Sequence, residues 1–424
     1  MGGRVAQTAD VIVVGGGPAG ASTAHYLAQA GVDVLVLEKA EYPRDKICGD
    51  GLTPRAVAEV VRMGISTQGW ATNHGLRTYG GGHCIEVPWP ELASMPSYGL
   101  ACPRTQLDEV LIQRAVASGA RLEQGITVAS AIRDERTGRV VGVLAHPTSD
   151  KSTELEYSAR FVVDAGGVSA RLATSIGREK DMKRPMGVAY RTYFRSPRAN
   201  DTMMESHLEL WEGEPGKSDL MPGYGWIFDV GGGIVNVGLG SLSSTAKPTG
   251  LDYRKMFKTW MNNVPAEWEF TPENQVGALR GAALPMAFNR KPHYKDGLLL
   301  VGDAGGMVSP FNGEGIAYAL QSGRFAADAM GQALARPTVT SQEAALKQYP
   351  KALSSELGGY YSMGRIFAAL IERPEIMHLC VKYGLPRPTL MRLVMKLLSD
   401  CYDRTDGDWM DRLIAAVAKA VPKA

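Results

Sequence analysis

The chain has 424 residues, 45% of them hydrophobic, and a formal net charge of +2, enough for a large core over about two to four domains and without the basic footprint that nucleic acid requires. Its five cysteines, Cys48, Cys84, Cys102, Cys380 and Cys401, form no CxxC pair and no metal spacing, and their odd number argues against a secreted disulfide framework; a reducing, cytoplasmic compartment is expected. No signal peptide precedes the first strand and nowhere do about 18 apolar residues run together, so the expectation is a soluble protein, at most peripheral at the inner face of the cell membrane.

Val11 to Val14 is an apolar strand that runs into Gly15-Gly16-Gly17-Pro18-Ala19-Gly20. A helical run to Gly31 and a second strand from Val32 to Leu37 follow, closing on Glu38. In such a βαβ unit the glycines let the backbone turn tightly against a pyrophosphate, and the helix N-terminus faces its charge. Glu38, 18 residues past Gly20, accepts from a ribose hydroxyl and disfavours a 2′-phosphate. Gly15, Gly17, Pro18, Ala19, Gly20, Glu38 and Lys39 are the expected dinucleotide contacts.

The polar, glycine-punctuated stretch from Glu41 to Gly51 then passes close to the cofactor, carrying Cys48 and Gly49 with it. Arg104 opens a helix with Leu107, Asp108 and Leu111, from which it reaches the pyrophosphate or stands as a plain surface arginine. Short alternating strands from Gly125 to Val163 end in a further glycine corner, Asp164-Ala165-Gly166-Gly167. Between about Gly187 and Leu284 the pattern turns to period two, which predicts a separate, largely antiparallel sheet. Strands are expected over His207–Trp211, Trp226–Val230 and Ile234–Gly238, the last two joined as a hairpin by three glycines at 231–233.

Leu298 to Val301 rises to Gly302-Asp303-Ala304, and Pro310 to Gly315 leads into a helix from Ile316 to Met330. In such a corner Asp303 holds the ribityl hydroxyls of a flavin, with Gly302 at the turn. The helix N-terminus at Gly313, Gly315 and Ile316 faces the pyrimidine edge of the ring. The two glycine corners together read as a flavoprotein that binds FAD. From about Ser341 the chain has helical periodicity with prolines as stops, and Leu390 to Leu398 interleaves apolar residues with Arg392 and Lys396. Such a stripe lies on a membrane surface, covers an apolar channel or packs as a cap on the fold.

These residues carry a family likeness. GGGPAG with Glu38, the run PRDKICGDGLTPRA from Pro43 to Ala56, the element PGYGWIF from Pro222 to Phe228, and Gly302-Asp303-Ala304 with Asn312-Gly313-Glu314-Gly315-Ile316 resemble the geranylgeranyl reductase family of flavin-dependent prenyl reductases. SHLEL at 206–210, PGYGWIF and FNGEGI are most similar to the bacterial menaquinone reductases, which saturate one isoprene unit of the quinone tail. The chain departs from the family at Asp164-Ala165, where relatives usually have Asp-Gly, and at Phe228-Asp229, where Phe-Pro is common. The first departure bears on direct use of a nicotinamide, leaving the electron donor open between NAD(P)H, ferredoxin and another reductase.

The resemblance implies an α/β (α+β) fold: a Rossmann-type FAD-binding domain of the p-hydroxybenzoate hydroxylase type, an antiparallel-sheet substrate domain and C-terminal helices. The expected segments are 1–75, 100–185 and 280–340 for the FAD domain, 76–99 and 186–279 for the substrate domain, and 341–424 for the helical region. The expected activity is saturation of an isoprenoid double bond, in menaquinone or in a geranylgeranyl diphosphate or other prenyl lipid. An isolated trisubstituted alkene has no carbonyl to polarise it, so hydride and proton must arrive at adjacent carbons while positive charge builds on the tertiary one. Aromatic faces stabilise such charge by about 0.5–2 kcal/mol each. Tyr224, Trp226 and Phe228 alternate along a strand and share one face, as substrate wall or as ordinary core. Cys48, which the resemblance places close to the flavin ring, is an acid, a cover or a redox relay. Asp50 and Glu314 are further acids that can feed the proton, and His207 is a satisfied polar residue. An aromatic monooxygenase or halogenase, or a non-catalytic flavin carrier, are the competing readings.

Overall fold

The computed structural model describes residues 7–47, 49–243, 245 and 250–424, so Cys48 lies outside the described residues. Strands without polar alternation need cover on both faces, and Val34–Glu38 is buried at every position. It belongs to a sheet whose parallel strands run in the order Leu298–Leu300, Leu155–Asp164, Gln7–Val14, Val34–Glu38 and Arg121–Gln124. On one face, the helices Pro18–Gln29, Arg104–Ala117 and Ile316–Leu334 pack Ala24, Leu27, Leu111 and Leu320 into the core that holds Val11, Val13 and Val36. On the other, Ile12, Leu35 and Leu37 share a core with Val128, Val140 and Val143 of the antiparallel strands Ile126–Arg133 and Val140–Pro147. A Cβ on Gly323 would lie 2.6 Å from the Ala19 carbonyl oxygen, so a bare backbone there lets the third helix approach the first.

The second sheet has seven strands in the order Gln275–Pro285, Met186–Arg195, Ile234–Ser243, Tyr224–Gly231, Met203–His207, Gly75–Gly80 and His83–Pro88. Only the pair Met203–His207 with Gly75–Gly80 is parallel. Ile227, Val235, Val237 and Leu239 turn to one side, where the helix Tyr253–Met261 brings Phe257 and Trp260 against them. The residues between them face the opposite way. The strand expected over His207–Trp211 is broken: it ends at His207, and Leu210–Trp211 pairs separately with Leu220–Met221. The break carries Leu210 into the core beneath the sheet, where it is fully buried.

Five helices complete the chain, Val339–Leu346, Gln348–Ile371, Pro374–Gly384, Pro388–Leu398 and Trp409–Ala420. Pro374 and Pro388 open helices instead of stopping them, since the first turn has no use for the missing N–H. Hydroxyls fasten the long helix to the parallel-sheet side: Tyr349 donates to the Leu300 carbonyl at 2.7 Å and Tyr361 to that of Met307 at 2.9 Å. Among the described residues no helix is long and apolar enough to cross a membrane.

Candidate active site

The glycine turn works by close approach. A Cβ on Gly20 would lie 1.9 Å from the Gly15 carbonyl oxygen, and one on Gly15, whose φ is +101°, would lie 2.6 Å from that of Ala165. Gly17 caps the helix Pro18–Gln29 with no side-chain hydrogen bond, so the first N–H groups of the helix point outward unclaimed by any side chain. Glu38 reaches the same turn, its Oε2 accepting from the Gly16 N–H at 2.7 Å and its Oε1 from that of Ala40 at 3.0 Å. Lys39 is exposed at the strand end.

Arg104 is buried, and its guanidinium donates to both oxygens of Asp108 at 2.7 and 2.8 Å as an i,i+4 ion pair. Arg44 stands at the glycine turn, its guanidinium 3.0 Å from Asp108 and 3.4 Å from the place of a Cβ on Gly17. Its Nε donates no hydrogen bond. Tyr42 supports it, donating to the Gly16 carbonyl at 2.5 Å. Both residues belong to the stretch from Glu41 to Gly51 that the sequence reading brings close to the cofactor, though it gave neither a role of its own.

At the second corner Gly302 has a φ of +56°, and its N–H is held by Ser322 at 3.0 Å. Asp303 pairs with Lys46 at 3.1 Å. Gly313 has a φ of +77°, and Gly315 starts the helix Ile316–Leu334 without a side-chain cap. The two uncapped helix N-termini, the two acids and the glycine clearances are the donor and acceptor set that a dinucleotide-linked flavin uses.

Beside this corner lies an apolar cavity of about 300 Å³. Gly49, Gly51, Thr53 and residues 311–316 close one end, Tyr224, Trp226 and Phe228 form a wall, and Phe367, Ile371, Met391 and Val394 of the C-terminal helices line it further. All three aromatics of the alternating strand therefore face the cavity. The wall is held by polar tips at its back. Tyr224 donates to the Asn312 carbonyl at 2.5 Å, and Trp226 Nε1 donates to Asn236 Oδ1 at 2.8 Å. Gly238 leaves room for the indole, since a Cβ there would lie 2.3 Å from Trp226 Cζ2.

Asn236 continues the chain of bonds by donating to Asp50 Oδ2 at 2.7 Å. Tyr193 donates to the same oxygen at 2.8 Å, and the Arg104 N–H to Oδ1 at 3.0 Å. Burial raises the Asp50 pKa against the pull of these donors. Three donors leave the carboxyl an anchor between loop and sheet. Asn236 and Tyr193 are partners the sequence reading missed, because they lie 186 and 143 residues from Asp50. His207 is satisfied as expected, sharing a hydrogen bond with Glu205 and stacked on Tyr79.

Residues 8–352 match the FAD binding domain family. The chain is 36% identical to the menaquinone reductase of Mycolicibacterium smegmatis over 409 residues, which are 96% of this chain and 95% of that one. The chain belongs to the geranylgeranyl reductase family of FAD-dependent enzymes. Another relative is digeranylgeranylglycerophospholipid reductase 2 of Methanopyrus kandleri, 30% identical over 352 residues, 82% of this chain and 83% of that one. Among solved structures, a geranylgeranyl bacteriochlorophyll reductase-like protein of Thermoplasma acidophilum shares the fold, with a TM-score of 0.77 at 20% identity over 97% of this chain and 99% of that one.

As in the rest of the family, the cofactor is FAD, and the residues fit it. The first uncapped helix end and Arg44 would meet the pyrophosphate, Glu38 would accept from the ribose, and Asp303 with the second helix end would hold the flavin half. Burial pushes the Tyr224 hydroxyl up to about 12, and its proton is engaged by the Asn312 carbonyl.

Proposed function

We propose that this member of the geranylgeranyl reductase family saturates a carbon–carbon double bond of an isoprenoid lipid, with one isoprene unit of the menaquinone tail as its substrate. The observation that carries the reading is an apolar, aromatic-walled cavity that ends at the flavin corner. Bound and reduced, FAD supplies the hydride. The chain does the rest. Apolar walls strip water from the tail, which lowers the dielectric around the reacting carbons. Tyr224, Trp226 and Phe228 offer π faces to the tertiary centre as charge builds there, with Asn312 and Asn236 fixing the first two rings. Cys48, the sequence neighbour of the cavity-lining Gly49, is assigned to the same chemistry.

A membrane location for the lipid's source is part of the same proposal. Ile366, Leu370, Leu379, Tyr383 and Leu390 are 40–59% exposed on the helices that line the cavity. Arg373, Lys382, Arg387 and Arg392 are exposed among them. Apolar residues beside a basic rim suit an anionic bilayer surface.

The test is mass spectrometry of isoprenoid quinones and prenyl lipids from cells with the gene intact, deleted, and restored as wild type, Cys48→Ala or Trp226→Ala. Saturation adds two hydrogens, so the expected result is a menaquinone pool lighter by two mass units on deletion, repaired by wild type only. A pool unchanged on deletion, with other prenyl lipids shifted, moves the substrate to those lipids. No shift in any of them refutes prenyl reduction.

A further inference from the structure

Saturating the alkene consumes a proton as well as a hydride, and the cavity restricts where that proton can come from. Among the described residues two acidic ones line it, Glu205 and Glu314. Glu205 is committed: Tyr79, Arg77, Arg198 and Trp268 all donate to it, the closest at 3.2 Å. Four donors, two of them cationic, hold it as a carboxylate. Glu314 stands differently. Thr53 donates to its Oε1 at 2.7 Å, while its Oε2 is shut off from solvent and has no hydrogen-bond partner. A buried carboxylate oxygen without a donor is costly, whereas a protonated one has lost its charge. Burial pushes this carboxyl up to about 7, against the Thr53 hydrogen bond and the Arg55 charge.

The placement suits the chemistry. Glu314 lies between Gly313 and Gly315 at the start of the helix Ile316–Leu334, in the segment that closes the flavin end of the cavity. Asp303 is close by, its Oδ1 3.5 Å from the place of a Cβ on Gly315. Asp50, the other nearby acid, has both oxygens occupied by donors and does not line the cavity.

We infer that Glu314 is the acid that protonates the alkene, from the end of the cavity where the ring binds. The π bond breaks, one carbon takes the Glu314 proton and its neighbour the hydride, and two C–H bonds form. Glu314 is left as a carboxylate and, once the product leaves, regains a proton from water in the cavity by way of the Thr53 hydroxyl, which gives its proton to Oε1 and takes another from that water. Cys48 then keeps a covering or relay role. The inference rests on the prenyl-reductase reading.

The test uses full-length, FAD-loaded protein. Infrared spectra of the oxidised enzyme at pH 6 are recorded with and without carbon-13 glutamate, for wild type and Glu314→Gln. Single-turnover reduction of a vesicle-borne prenyl quinone is measured for wild type, Glu314→Gln, Glu314→Ala and Cys48→Ala, the flavin being reduced chemically beforehand. The expected result is a protonated-carboxyl C=O stretch that shifts with the glutamate label and vanishes in Glu314→Gln. Turnover then falls by about 100- to 10,000-fold in both Glu314 variants with FAD content and lipid affinity kept, and added formic acid restores part of it in Glu314→Ala. No label-sensitive band in wild type overturns the assignment without recourse to any variant. So does turnover in Glu314→Gln within threefold of wild type, or a loss in Cys48→Ala that formic acid repairs while Glu314→Ala is unaffected. A wild type that reduces no prenyl lipid refutes the function itself, and the acid role falls with it.

Discussion

Replacing Glu314 with glutamine should stabilise the protein in mildly alkaline solution, although it removes a group from the site. The Glu314 carboxyl is raised from 4.5 to about 7, chiefly by burial. Between those values the folded protein holds a proton that the unfolded chain has released, so stability falls as pH rises through the interval. Thr53 and Arg55 favour the carboxylate and Asp400 opposes it; Tyr318, Tyr360, Tyr361 and Cys401, raised by burial, stay neutral throughout. At 1.36 kcal/mol per pKa unit the full loss by pH 8 is about 3 kcal/mol. Glutamine does not titrate. The gap between variant and wild type should therefore widen by about 3 kcal/mol from pH 4 to pH 8. For 424 residues the entropy at the midpoint is about 0.9 kcal/mol/K, so the widening is about 3 °C in Tm. Thermal unfolding across this range, with FAD saturating throughout, measures it. Parallel pH curves for the two proteins would refute a neutral buried Glu314.

Three other perturbations follow from the geometry. Gly20→Ala drives a methyl against the Gly15 carbonyl, 1.9 Å from the Cβ position, so flavin absorbance per protein after purification should fall at least about tenfold; full FAD content would contradict the turn's role. Asn236→Leu leaves Trp226 Nε1 without its acceptor, while Asp50 loses one donor but keeps Tyr193 and the Arg104 N–H; chemical denaturation should show a loss of about 1–3 kcal/mol for the unpaired indole N–H, with turnover reduced more than FAD binding. Leu370→Glu with Leu379→Glu should lower co-flotation with anionic vesicles, and wild-type flotation should weaken with salt; binding unchanged by both would remove the proposed membrane face.

Local patterns carried most of what the sequence revealed. The glycine corners and Glu38 are legible because turn geometry and helix polarity act within a few residues. The alternation at Tyr224, Trp226 and Phe228 is legible for the same reason, though only the fold decides which side of the strand is hollow. The Arg104–Asp108 pair is local as well, one helical turn apart. The Thr53–Glu314 bond and the Trp226–Asn236–Asp50 chain could not be read, since they join segments up to 261 residues apart. The break after His207 reflects the pull of a core that the strand itself does not contain.

The strand Tyr224–Gly231 serves two masters at adjacent positions. Ile227 answers to the interior shared with Trp260, while Trp226 and Phe228 on either side of it answer to whatever fills the cavity. A change in lipid can thus be met by substitution at every second residue without disturbing the packing beneath. Chain-length preference among related reductases should accordingly be written at the positions of Tyr224, Trp226 and Phe228 and in the C-terminal helices that line the cavity opposite, and it should be transferable by grafting those positions.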